Sequence, residues 1–311
     1  MDAKRTRQGV IFAFIAYFIW GLAPAYFKLL KQVPAEEILT HRVIWSFFFM
    51  LLLLSLSRSW GDVRKVFAMP RKVCMLLITA LLVGGNWLLF IWAINHNHIL
   101  EASLGYFINP LVNVLLGMLF LGERFRRLQW VAVVLAFAGV VVQLWVFGSL
   151  PIIGIGISLT FAFYGLLRKK IAVDAQSGML IETLWLLPAA GIYLFFIAHS
   201  ATSNLAANPL SLDLLLAAAG IITTIPLLCF TAATSRLKFS TLGFFQYIGP
   251  TLMFLLAVMF YGETVKPSQL VTFAFIWGGL AFFIADALRH QRQQRIASAT
   301  AEKGLPSQTV N

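Results

Sequence analysis

Ten apolar runs, each long enough to cross a lipid bilayer, fill the chain from Val10 to about Leu288. A membrane-spanning helix needs about 20 mostly apolar residues. The same runs explain why 60% of the residues are hydrophobic and only 12% are charged, a composition poorly suited to water. The sequence therefore predicts an all-α integral membrane protein. Its ten expected transmembrane helices cover residues 8–30, 36–57, 73–94, 102–121, 128–147, 150–168, 178–198, 213–233, 240–261 and 268–288.

The second five runs repeat the first five at a spacing of 140 residues. Asn109-Pro110 precedes Gly122-Glu123, and Gly249-Pro250 precedes Gly262-Glu263 at the same interval. Because five spans are an odd number, the second copy starts from the opposite side of the membrane, as in many secondary transporters. We therefore expect two inverted five-helix repeats, at 8–147 and 148–288, between an N-terminal segment (1–7) and a mobile cytoplasmic tail (289–311). Pro110 and Pro250 are expected to break their helices.

Basic residues are distributed unequally between alternate loops. One set of loops and both termini carry twenty Lys and Arg residues, whereas the other set carries only Lys28, Lys31 and Lys266. Positive charge is retained on the cytoplasmic side of a membrane. The count therefore predicts that both termini are cytoplasmic, in a multi-pass protein of the bacterial inner membrane.

Three ionisable residues within the spans are candidates for a functional role. Arg42 lies about a third of the way into the second span, where an unpaired charge costs at least about 2.5 kcal/mol. It is the strongest candidate for contact with substrate, although it could instead snorkel to the external headgroups or pair with Glu36 or Glu37. His41, beside it, could titrate near neutral pH or be a hydrogen-bonded packing residue.

Glu182 occupies the position in the seventh span that Arg42 occupies in the second. Inversion places the two residues near opposite faces of the membrane, so we do not expect them to touch. Glu182 is the candidate carboxylate for proton coupling. It could otherwise be an interfacial residue that meets Lys169 or Lys170.

Amide and aromatic side chains form a second group of candidates. Buried amides near a broken helix can offer hydrogen bonds to a ligand, and aromatic rings provide a broad apolar wall. We expect a substrate-binding cavity lined by some of these residues, the others serving helix packing or interfacial anchoring: Tyr17, Trp20, Asn86, Trp87, Tyr106, Asn109, Gln246 and Tyr247.

Several other kinds of chemistry lack a sequence signal. No GxxxxGK[ST] segment is present to bind ATP phosphates, and no nucleophile and base are suitably arranged for an enzyme. His96, His98 and Glu101 lack a convincing metal-ligand spacing. The net charge of +12 orients the chain and gives no reason to expect nucleic acid. We expect no cofactor and no metal, and we interpret Glu123 and Glu263 as helix-end anchors.

Four segments carry a resemblance to a known family: YFIWG at 17–21, ILTHRVIWS at 38–46, GGNW at 84–87 and GYFINP at 105–110. Together with the paired proline and Gly-Glu signatures, they resemble the RarD branch of the EamA permeases in the drug/metabolite transporter superfamily. The resemblance extends from about residue 5 to 288. It implies a ten-helix bacterial inner-membrane permease, described in that family as a predicted chloramphenicol-resistance exporter.

The functional expectation is a secondary exporter of small organic solutes that works by alternating access. Two alternatives stay open: an amino-acid or metabolite permease that acts as a facilitator, and a membrane scaffold without transport activity. The partners expected are a small-molecule substrate and the lipid bilayer, with proton coupling as a further option. The sequence does not determine the oligomeric state.

Overall fold

The described part of the chain is a set of α-helices without strands. It comprises residues 3–96, 98–204, 207–260 and 266–303 of a computed structural model. Ten helices within these residues are long and apolar enough to span a membrane, and their bounds agree with the ten predicted spans to within a few residues. The prediction of ten transmembrane helices is therefore confirmed. The α-helices are α1 (Ala3–Phe27), α2 (Ala35–Ser57), α3 (Trp60–Phe67), α4 (Pro70–Asn95), α5 (Ile99–Leu121), α6 (Arg127–Phe147), α7 (Ile152–Ile171), α8 (Ala175–Ile192), α9 (Leu210–Thr234), α10 (Phe239–Gln246), α11 (Ile248–Met259) and α12 (Pro267–Lys303). The short helix α3 is not a span, and α10 and α11 together form the ninth span.

The two repeat-related prolines have different effects on their helices. The ninth span is interrupted at Tyr247, between α10 and α11, three residues before Pro250. Pro110 instead lies inside the continuous helix α5, so the expectation of a helix break there is wrong. A proline removes one N–H, but neighbouring helices in a membrane protein can compensate for that loss.

The C-terminal segment is helical for most of its length, and its expected mobility stays a prediction. Helix α12 continues from the tenth span to Lys303, well beyond residue 288. Its extension is rich in Ala, Gln and Arg, which favour a helix even without an apolar face. Residues 304–311 lie outside the described residues.

The helices separate into two compact units. The first contains residues 1–123 and 147–264, and the second contains 124–146 and 265–311. In the first unit, α2 packs on α8 and α9, and α1 packs on α9 and α11. Helix α4 packs on α7 and α8, and α5 packs on α7 and α10. In the predicted repeat, the first five spans correspond in order to the second five. When each helix of these pairs is replaced by its counterpart in the other repeat, every pair becomes a pair of the same set. The packing is therefore consistent with the predicted repeat.

The second unit contains a closer internal correspondence. A Cβ atom added at Gly139 would lie 3.1 Å from the Thr272 carbonyl oxygen, and one added at Gly279 would lie 2.9 Å from the Ala132 carbonyl oxygen. The spacing of 140 residues relates Gly139 to Gly279 and Ala132 to Thr272. Small residues at both crossings allow the two backbones to approach closely.

Candidate functional site

Arg42 lies in an aromatic environment within the first unit. Its Nε donates a hydrogen bond of 2.8 Å to Thr223 Oγ1 on α9. The guanidinium carbon lies 4.6 Å from the ring centroid of Trp87 and 5.5 Å from that of Phe27. Arg42 is partly exposed. The structure thus brings together two of the predicted site residues, Arg42 and Trp87.

A groove of about 380 Å³ lies beside this cluster, between α2, α4 and α8. Its walls include Glu36 and Thr40 of α2, the Gly84-Gly85 pair of α4, and Trp87, whereas Arg42 is not a wall residue. The two glycines narrow α4 at this point, and a Cβ added at Gly85 would meet no atom within 4 Å. Trp87 therefore both lines the groove and stacks against Arg42, in a space large enough for a small organic ligand.

The predicted amides are engaged in contacts between helices. Asn109 Nδ2 donates to the Ser158 carbonyl at 2.6 Å. Asn113 Nδ2 donates to Asn109 Oδ1 at 3.0 Å and to Gln246 Oε1 at 3.2 Å. This chain of amides joins α7, α5 and α10 in the interior. Asn113 was not among the predicted residues, although its position one helical turn after Asn109 places both on the same face.

Asn86 and Tyr247 make their hydrogen bonds elsewhere. Asn86 Nδ2 donates to the Ile157 carbonyl at 2.7 Å and to Thr160 Oγ1 at 2.9 Å, and so it joins α4 to α7. The Tyr247 hydroxyl donates to the Phe107 carbonyl at 3.3 Å. Both arrangements satisfy buried polar groups, as helix packing requires in a membrane interior. A role for either residue in binding substrate stays a prediction.

Tyr17 and Trp20 belong to an aromatic cluster in the core. Their ring centroids are 5.5 Å apart, and Trp20 lies 5.7 Å from Phe161 and 5.9 Å from Phe230. The Tyr17 hydroxyl is buried and forms no hydrogen bond within the described part of the chain. A buried hydroxyl without a partner is unfavourable, so this cluster contains an unsatisfied donor.

Glu182 forms a buried ion pair with Arg168, not with Lys169 or Lys170. Arg168 Nε lies 3.6 Å from Glu182 Oε1, and the two side chains are 1% and 2% exposed. Thr79 donates to Glu182 Oε1 at 2.6 Å, and the Tyr164 hydroxyl lies 3.4 Å from Oε2. Arg168 therefore belongs to the protein interior, although the orientation count placed it in a loop. Removing it from that count leaves nineteen basic residues against three, so the predicted orientation is unchanged.

The two lysines after Arg168 have other partners. Lys169 Nζ donates to the carbonyls of Thr234 and Leu237, at 2.6 and 2.5 Å, where α9 ends. Lys170 Nζ lies 5.2 Å from the ring centroid of Phe120. The alternative prediction, that Glu182 is an interfacial residue that meets Lys169 or Lys170, is therefore wrong about its cationic partner.

His41 and Glu37 lie close together at the start of α2. Both are 1% exposed. Glu37 Oε2 accepts a hydrogen bond of 2.7 Å from the Thr202 hydroxyl, whereas neither ring nitrogen of His41 has a hydrogen-bond partner within the described residues. The hydrogen-bonded packing role considered for His41 is therefore not what this geometry provides.

Glu123 caps a helix through its carboxylate. Its carboxylate accepts the backbone N–H groups of Phe239 and Ser240, at 2.5 and 3.0 Å, and the Ser240 hydroxyl at 2.5 Å. These contacts satisfy the free N–H groups where α10 begins, which supports the interpretation of Glu123 as an anchor. Its repeat partner Glu263 lies outside the described residues.

The second unit has an ion pair that the sequence reasoning missed. Arg126 Nε contacts both carboxylate oxygens of Asp286, at 3.1 and 2.8 Å, and Arg126 Nη2 also bonds Asp286. Asp286 falls within the tenth predicted span and is 6% exposed. An acidic residue inside an apolar run was the signal that could have found it. No group of three or more metal-ligand residues occurs within the described ranges.

The ten helices define a multi-pass membrane protein whose mainly apolar interior contains several paired charges and hydrogen-bonded amides. Residues 7–145 match the EamA-like transporter family. The chain is 70% identical over 294 residues to "Protein RarD" of Salmonella typhi, which covers 94% of this chain and 100% of the relative. It is 34% identical to "Chloramphenicol-sensitive protein RarD" of Pseudomonas aeruginosa, with 92% and 97% of the two chains covered. A solved crystal structure, 19% identical, shares the fold with a TM-score of 0.71 over 90% of this chain and 98% of the other.

These similarities, together with the ten spans, identify a membrane transporter. The chain belongs to the RarD-type branch of the EamA-like transporter family. The resemblance proposed from the four sequence segments is therefore confirmed.

Proposed function

We propose that this chain is a secondary exporter of small organic solutes in the bacterial inner membrane. In this proposal, two inverted repeats alternate access to one interior site, and both termini are cytoplasmic. The observation that supports it is the helix packing: each of the helix pairs named above for the first unit has a counterpart when every span is replaced by its repeat partner. A protein built in this way can adopt two related packings that open to opposite sides.

The substrate site of the proposal is centred on Arg42, Trp87 and Tyr106. A cation at this depth is costly unless it is solvated or bound. Arg42 is partly exposed, and its neighbour Trp87 lines the groove, which is the proposed route of the solute to it. We include the other predicted lining residues as the surrounding wall: Tyr17, Trp20, Asn86, Asn109, Gln246 and Tyr247.

Arg42 provides a direct test of this site. Arg42→Ala is expected to reduce transport at least about tenfold while normal amounts reach the membrane, because loss of a charged hydrogen bond costs about 1.5–3 kcal/mol. Arg42→Lys should restore only part of the activity, since lysine lacks the planar fork. Near-normal flux for both variants, at normal abundance, would remove Arg42 from the site.

Glu182 is the proposed coupling carboxylate, and proton exchange is the proposed energy source. The test uses proteoliposomes that carry an imposed pH gradient, with radiolabelled chloramphenicol as the probe because one relative is named for sensitivity to that drug. We expect uphill flux for the wild type and only downhill flux for Glu182→Gln. Uphill flux that persists in Glu182→Gln would exclude this carboxylate as the coupling group.

One observation favours a second candidate, a facilitator without proton coupling. Glu182 is already held by Arg168, Thr79 and Tyr164, an arrangement suited to a permanently charged structural residue. A facilitator would equilibrate the probe across the membrane and would show no uphill flux in any pH gradient. The same vesicles therefore distinguish the two candidates. Absence of flux for every solute tested would favour the scaffold alternative instead.

A further inference from the structure

Arg42, Arg126 and Arg168 differ in how their charge is compensated. Arg168 is paired with Glu182, and Arg126 is paired with Asp286. Arg42 forms no ion pair with any acidic residue of the described chain. Its protein partners are the neutral Thr223 hydroxyl and the faces of two aromatic rings.

The hydrogen bonds of Arg42 leave part of its guanidinium unused. Only Nε donates to a described residue. The two terminal nitrogens make no hydrogen bond within the described residues, yet they are not among the buried polar atoms that lack a partner, unlike those of Arg168. Arg42 therefore keeps donors that are not sealed, and Trp87 links it to the groove, although Arg42 itself is not a wall residue. The Arg168 guanidinium, in contrast, is sealed.

Two adjacent N–H groups on a planar cation match the two oxygens of a carboxylate. The aromatic rings at 4.6 and 5.5 Å add an apolar surface on which a ring or hydrocarbon body can lie. Trp87 continues that surface into the groove of about 380 Å³. Glu36 lies on the groove wall but forms no ion pair with Arg42. An incoming carboxylate would supply a paired negative charge, which no described acidic residue provides for Arg42.

We infer that the solute recognised at this site is an organic anion with a carboxylate group and an aromatic or apolar body. The carboxylate binds the terminal nitrogens of Arg42, and the apolar body packs against Trp87. This inference rests on the proposed transport function and specifies its substrate class. It also makes an uncharged drug a weaker ligand than a carboxylate of similar size.

The test compares two probes that have the same shape and differ in charge, 3-phenylpropanoate and 3-phenylpropanamide. Binding is measured on the purified full-length protein as the ligand-dependent rise in its thermal unfolding midpoint. We expect the carboxylate to bind about tenfold more tightly than the amide. At a concentration near one hundred times its Kd, it should raise the midpoint by several degrees, on the order of 5 °C.

Three variants locate the effect. Arg42→Gln should abolish the preference for the carboxylate, and Arg42→Lys should retain a reduced preference because it keeps the charge and loses the fork. Arg236→Gln is the matched control, since Arg236 also lies over an aromatic ring, that of Phe12 at 5.2 Å, and bonds the Ala232 carbonyl. That control should behave as the wild type.

Two outcomes would overturn the inference: equal binding of acid and amide by the wild type, or an unchanged preference in Arg42→Gln. The wild-type comparison stands even if a variant fails to fold. Failure of the transport proposal gives a different result. Carboxylate binding without flux in proteoliposomes would refute transport and leave the anion site intact, whereas chloramphenicol flux without carboxylate preference would refute only the anion site.

Discussion

The two members of the buried Arg168–Glu182 pair should be strongly coupled in their effect on stability. Its charged atoms are 3.6 Å apart, which corresponds to about 4.6 kcal/mol of attraction at an effective dielectric constant near 20. The three guanidinium nitrogens of Arg168 have no hydrogen-bond partner within the described residues, so Glu182 is their compensation. A Cβ atom at Gly178 would overlap the same guanidinium, which shows how closely α8 encloses it.

Removing one member of this pair leaves the other as an uncompensated buried charge. We expect Glu182→Met and Arg168→Met each to lower the free energy of unfolding by about 3–5 kcal/mol. The double variant should recover most of that loss, because two methionines can fill the space without a buried charge. Reversible unfolding in mixed detergent micelles measures all four proteins of the cycle.

The exposed pair of Lys65 and Asp62 serves as the control. Its atoms are 2.7 Å apart, but its side chains are 71% and 56% exposed. Solvent screening should limit the coupling measured in its own double-mutant cycle to less than about 1 kcal/mol. If the effects of the two methionine substitutions at 168 and 182 are additive to within about 0.5 kcal/mol, the reasoning about this buried pair is refuted.

Three further results are expected. In a variant without the native cysteines, a cysteine at Asn204 should react with an impermeant thiol reagent outside sealed cells, and one at Lys65 should not; labelling at position 65 would overturn the proposed orientation. Gly220→Ala should destabilise the protein by about 1–3 kcal/mol in thermal unfolding, because its Cβ would lie 2.5 Å from the backbone of α2, whereas Gly191→Ala, with no atom within 4 Å, should have little effect. Glu123→Ala should lower the unfolding free energy by about 1–2 kcal/mol through loss of the α10 cap, and an unchanged value would contradict that role.

Some positions that matter in the structure carried no signal in the sequence. Thr223 binds Arg42 from a helix 181 residues away in the chain, and nothing in its local sequence distinguishes it from other buried threonines. Asn113 could have been found, because it follows the predicted Asn109 by one helical turn. Arg168 was misplaced because it ends an apolar run and precedes two lysines, so its local sequence resembles a cytoplasmic loop.

The sequence by itself determined the number of spans, their bounds and the family. Long apolar runs specify membrane helices because every backbone polar group in lipid must be satisfied within the helix, and this constraint acts locally along the chain. Pairing of charges is not local. Only the tertiary structure decided that Glu182 pairs with Arg168 and that Asn86 joins α4 to α7 by hydrogen bonds. It also decided that Arg42 forms no ion pair with any acidic residue of the described chain. The physical reason is that such partners lie on different helices, and their distance depends on how the helices cross, which the apolar pattern of each helix alone does not specify.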